Sequence, residues 1–101
     1  MALLDGKVAL ITGASSGIGR AIALMFAEHG AAIVLTARRS ALLEEVAKEI
    51  RQRGGRAECV AGDVTQAETH EQVIKLATEK FGGLDIAINN AGIVGALKPL
   101  A

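Results

Sequence analysis

Four short apolar runs, the first three each followed by a turn and a helical pattern, constrain this chain more than any other feature. The first, Val8-Ala9-Leu10-Ile11, has no polar alternation and leads into Thr12-Gly13-Ala14-Ser15-Ser16-Gly17-Ile18-Gly19. Ile18, Ile22, Met25, Phe26 and His29 then recur at helical spacing, and Gly30 supplies a stop. Ile33-Val34-Leu35 is the second run, followed by Leu43, Val46, Ala47 and Ile50 on one helical face and by Gly54-Gly55. The third extends from Ala57 to Ala61. After it, Thr65 and Glu68 have the spacing of a capping box, opening a helix through Val73, Ile74, Ala77 and Phe81. Gly82-Gly83 ends that helix, and Ile86-Ala87-Ile88 is the fourth run.

Strands without alternation, separated by helices, describe a parallel sheet covered on both faces. Right-handed crossovers make it a doubly wound, Rossmann-like α/β fold with four strands in the order 3-2-1-4. Short apolar runs taken singly also suit an all-helical chain, but the regular β-turn-α rhythm weighs against that. No linker, low-complexity tract or charge run divides the sequence, so residues 1–101 read as one domain.

Eleven basic and eleven acidic side chains cancel, so no net field draws the chain to nucleic acid or an anionic membrane. Two Phe, without Tyr or Trp, leave no aromatic platform for stacked bases. Cys59 is the single cysteine and reads as a core thiol, which excludes an internal disulfide or a cysteine metal cluster. His29 and His70 lack metal-ligand spacing. The start Met1-Ala2-Leu3-Leu4-Asp5 does not have the form of a signal peptide, and no apolar run is long enough to span a bilayer. A cytoplasmic location, with no membrane partner, is the expectation.

Four positions carry chemistry. The glycine turn lies between the first strand and the first helix, where helix N–H groups and the helix dipole both favour an anion such as a dinucleotide pyrophosphate. Gly13 permits the tight turn, Gly17 lets backbone approach the phosphates, and Gly19 lets helix pack on strand; Ser15 and Ser16 add hydroxyl donors. No Lys-Ser or Lys-Thr follows, so a P-loop is excluded. About 20 residues on, where NAD-binding folds place an acid for the ribose 2′-hydroxyl, the sequence reads Thr36-Ala37-Arg38-Arg39. Two guanidinium groups there favour the 2′-phosphate of NADP over NAD. The competing reading, solvated charges at a helix start, places cations against the dipole. Asp63-Val64 follows the third strand, as an acceptor for an adenine amino group or as a simple helix support. Asn89-Asn90-Ala91-Gly92 closes the fourth strand, as a ligand-facing turn or as an ordinary Asn/Gly turn.

Together, Thr12 with the glycines at 13, 17 and 19, Asp63-Val64, and Asn89-Asn90-Ala91-Gly92 resemble, in order and spacing, the cofactor half of the short-chain dehydrogenase/reductase family. The resemblance implies that Gly13, Ser15, Ser16, Gly17, Ile18 and Gly19 line the cofactor. It also implies that Asp63 and Val64 contact adenine, and that Asn90 and Gly92 lie near the nicotinamide-side ribose. Arg38 would hold the 2′-phosphate, with Arg39 assisting.

Members of that family usually run about twice this length or more. Their catalytic Ser, Tyr and Lys lie beyond the fourth strand, and an Asn on the next helix completes the set. This sequence reaches Lys98-Pro99-Leu100-Ala101 where that helix should begin, and contains no Tyr. The expectation is therefore a fold truncated after strand four, with no catalytic residue in this chain. Two functional readings follow. One is the NADP-binding portion of an oxidoreductase whose substrate is met only in a full-length protein; the other is a self-contained or engineered non-catalytic dinucleotide module. An unprotected edge at Ile86 to Ile88 would favour self-association and low stability.

Overall fold

The computed structural model describes residues 3–13, 17–38, 40–63 and 66–89. In chain order these form β1 (Val8–Thr12), α1 (Gly17–Glu28), β2 (Ala32–Ala37), α2 (Ser40–Gln52), β3 (Arg56–Ala61), α3 (Ala67–Phe81) and β4 (Ile86–Asn89). All strand pairs are parallel, in the order β3-β2-β1-β4. This is the order expected from the sequence.

The unalternating runs have a direct physical cause. Every residue of β1 and β2 is buried, because successive side chains point to opposite faces and both faces are covered. Ala9, Ile11, Ile33, Leu35 and Ala57 pack with Ala23 of α1 and with Leu43, Val46, Ala47 and Ile50 of α2. Val8, Leu10, Ala32, Val34 and Val60 face the other way, onto Val73 and Ala77 of α3.

The two outer strands differ from the central pair. In β3, Arg56 and Ala61 are exposed and Glu58 and Cys59 are half-buried. The Arg56 guanidinium lies 5.6 Å from the centre of the Phe81 ring, and Arg51 donates to the Ala57 carbonyl from Nε at 3.1 Å and from an Nη at 2.7 Å. Charged side chains of this kind discourage pairing with another chain. At the opposite side β4 pairs, among the described residues, with β1 alone; Ala87 is exposed, and Ile86 and Ile88 are half-buried. Asp85 fixes its entry: its carboxylate accepts from Val8 N at 2.8 Å while its own N–H donates to the Val8 carbonyl at 2.8 Å.

Helix ends follow the glycines. At the end of α1, Gly30 donates to Ala27 O and Ala31 to Phe26 O; at the end of α2, Gly54 donates to Arg51 O and Gly55 to Ile50 O. Both are Schellman closures, which need a left-handed residue at the first position; Gly30 has φ 97° and Gly54 φ 87°.

The start of α3 departs from expectation. Its N-cap is Gln66, which makes no side-chain capping bond, so Glu68 is the second helical residue rather than the third that a capping box from Thr65 requires. Thr65 itself lies outside the described residues. Packing explains the shift. Thr69 is buried against Gly62, where a Cβ would come within 2.7 Å of the Thr69 hydroxyl. Seating Thr69 inward fixes the first turn and leaves Glu68 exposed to solvent.

Candidate functional site

Parallel pairing brings the chemistry to one end of the sheet. Thr12 is in register with Thr36 and Asn89, and Ala37 with Ala61, so the strands end side by side. The connections from β1 and to β4 diverge on opposite faces of the sheet. The resulting crevice is the position where open α/β sheets take their ligands.

At its centre, β1 ends in Gly13 with φ 63°, a left-handed conformation that side chains other than glycine resist. Gly17 is the first residue of α1. A Cβ at Gly17 would meet nothing within 4 Å, so the backbone there faces open space. Gly19 is buried within the first turn, while Ile18 is 61% exposed. No acidic side chain occupies that turn, so no carboxylate opposes an anion at the positive end of the helix dipole. Thr12 ties this end to the neighbouring strand, its hydroxyl donating to the Ile88 carbonyl at 3.3 Å. An open cradle with a positive end fits a pyrophosphate. Ser15 and Ser16 lie outside the described residues.

Beyond β2, Arg38 projects with its side chain 78% exposed, and one of its terminal nitrogens stands 3.2 Å from Oδ2 of Asp63. The backbone beneath is joined as well: Gly62 N donates to the Ala37 carbonyl at 2.9 Å. Two positions 25 residues apart in sequence thus form one cluster. In the sequence they read as separate contacts. The signal that joins them is that strands two and three are neighbours and that the residues come one and two positions after them. Arg39, Val64, Asn90 and Gly92 lie outside the described residues.

Cys59 stands apart from this end of the sheet. Its Sγ lies 3.5 Å from the Leu43 carbonyl. Burial, reinforced by the Glu44 carboxylate, pushes its thiol up from 9.0 to about 11, so it is a protonated, unreactive group at neutral pH. Among the described residues no group of His, Cys, Asp and Glu is placed to hold a metal ion, and no helix is long and apolar enough to cross a membrane.

The short chain dehydrogenase family model matches residues 7–101. The chain belongs to this family. Short-chain dehydrogenases similar to it include the A-factor type gamma-butyrolactone 1′-reductase (1S-forming) of Streptomyces virginiae, 48% identical over 86% of this chain and 34% of the relative. An uncharacterized oxidoreductase of Listeria monocytogenes is 45% identical over 90% of this chain and 37% of its own length. Among solved structures, L-sorbose reductase from Gluconobacter frateurii, complexed with NADPH and L-sorbose, superimposes with a TM-score of 0.83 at 48% identity, covering 91% of this chain and 36% of that one. Hydroxysteroid dehydrogenase from Escherichia coli gives a TM-score of 0.81 at 40% identity, covering 85% and 37%. The chain therefore spans little more than a third of the length of these short-chain dehydrogenases.

Proposed function

We propose that this chain is the NADP-binding portion of a short-chain oxidoreductase that moves hydride between the nicotinamide and a carbonyl or secondary alcohol. The observation that carries the choice of cofactor is Arg38. An exposed guanidinium stands at the end of β2, at the position where NAD-binding folds place an acid. The pyrophosphate rests on the Gly13–Gly19 turn and the first turn of α1, with Ser15, Ser16 and Ile18 around it. Arg38, assisted by Arg39, takes the 2′-phosphate, Asp63 and Val64 meet the adenine, and Asn90 and Gly92 lie towards the nicotinamide ribose. The NADPH held by the similar L-sorbose reductase supports this reading. A cytoplasmic setting, where nicotinamide cofactors are abundant, goes with it.

Hydride chemistry belongs to the cofactor, and the protein contributes placement and proton transfer. The sequence contains no tyrosine, so a Tyr-x-x-x-Lys proton donor is not among these residues. The chain by itself then binds without turning over, which is also what a non-catalytic dinucleotide module would do. A downstream reading frame encoding Tyr-x-x-x-Lys selects the oxidoreductase; a frame without it selects the module.

Titration calorimetry with NADP and NAD tests the cofactor. Arg38→Ala should weaken NADP by about 1.5–3 kcal/mol, the usual worth of a charge-assisted contact, and leave NAD nearly unchanged. Equal losses for both cofactors would reject the phosphate role, and binding of neither would reject the site.

A further inference from the structure

We infer that Asp63 sets how strongly this site prefers a 2′-phosphorylated cofactor, by holding Arg38 in an ion pair that the phosphate must share or displace. The inference rests on the reading of Arg38 as the phosphate ligand and adds a second, opposing determinant to it. The pair is made in the structure at 3.2 Å, and its two partners are unequal. Asp63 is the anchored one. Its carboxylate side chain is only 33% exposed, Gly62 before it is bonded to Ala37 O at 2.9 Å, and Gly62 sits so close to Thr69 that a Cβ would reach 2.7 Å from its hydroxyl. Arg38 is the extended one, 78% exposed, with a planar fork whose other donors can serve a second anion.

A dianionic phosphate reaching that guanidinium comes close to a fixed carboxylate of the same sign. The carboxylate cancels part of the attraction and keeps one arm of the fork engaged. A cofactor with a free 2′-hydroxyl escapes this competition. Asp63 thus acts as a specificity-determining residue, moderating the preference that Arg38 creates.

Affinities for NADP and NAD, measured by calorimetry on the protein as its gene encodes it, separate the possibilities. Any contact from Asp63 to the adenine is common to both cofactors and cancels in their ratio. Asp63→Asn should raise the NADP-to-NAD affinity ratio by about 3- to 5-fold, the upper end of what an exposed ion pair is worth, and Asp63→Ser should move it in the same direction. In an Arg38→Ala background the same substitution should change the ratio by less than about twofold, since the coupling runs through the guanidinium. A ratio that falls or stays constant in both Asp63 variants overturns the inference, as does an equal rise with and without Arg38. An Arg38→Ala variant that loses affinity for the two cofactors equally overturns the phosphate reading itself, and this is seen before any Asp63 variant is made.

Discussion

The two faces of the sheet are built from the same four strands but sealed to different degrees. On the side of α1 and α2, Ile11, Ile33, Leu35, Leu43 and Ile50 are completely buried, and a charged seam joins the helices. There Glu49 accepts from Arg20 and, at 2.9 Å, from Arg53, which also reaches Glu28 at 3.2 Å. On the side of α3 the buried cluster is smaller, with Leu10 its largest member, and Val8, Leu10 and Val60 keep a trace of exposure. One helix covers that face among the described residues. A parallel sheet needs both sides closed, so the contrast locates where stability is concentrated.

Leucine truncation should break or sharpen this contrast most strongly. Leu35 of β2 faces α1 and α2, and Leu10 of β1 faces α3. Leu→Ala in a core costs about 2–5 kcal/mol, more where the cavity cannot collapse. Leu35→Ala should lie in the upper half of that range and Leu10→Ala in the lower half, read as shifts of the urea midpoint. A larger loss at Leu10 would mean that the face under α3 is as closely packed as the other.

A smaller effect is expected from the seam. Glu49→Gln removes the negative charge shared by two guanidinium groups, and exposed pairs contribute roughly 0–1 kcal/mol. The loss should shrink in about 1 M salt, where the Debye length is about 3 Å. Glu71→Gln, an exposed position on α3, is the matching control and should stay within about 0.5 kcal/mol. Equal effects at the two positions, or a loss at Glu49 that ignores salt, would show that the seam contributes nothing as a network.

The same contrast explains what was legible beforehand. Strand order and direction could be read because burial on both faces leaves β1 and β2 with no polar position. Gly30 and Gly54 marked helix ends because a Schellman closure needs their conformation. The start of α3 could not be read: Thr65 and Glu68 satisfy a local rule, but contact between Thr69 and Gly62, across seven positions, decides the register. In the candidate site the glycine turn was visible as a local motif, whereas the pairing of Arg38 with Asp63 exists only once β3 lies beside β2. Long-range packing supplies what a window of sequence lacks.

The rim of the better-sealed face offers the last and smallest test. Cys59 lies there, half-buried beside the core of α1 and α2. Its thiol is raised from 9.0 to about 11 by burial and then by Glu44, with Glu58 adding to the rise and Arg51 opposing it. Between those values an unfolded chain has shed the proton while the folded chain keeps it, so folding binds a proton and stability falls as pH rises. The contribution is complete below about pH 9 and lost by about pH 11. Wild type should therefore lose stability relative to Cys59→Ala over that interval in urea titrations, by an amount well below either leucine truncation because solvent screens the site. Parallel pH profiles would mean that water reaches the thiol, and that even the face under two helices is open at its β3 edge.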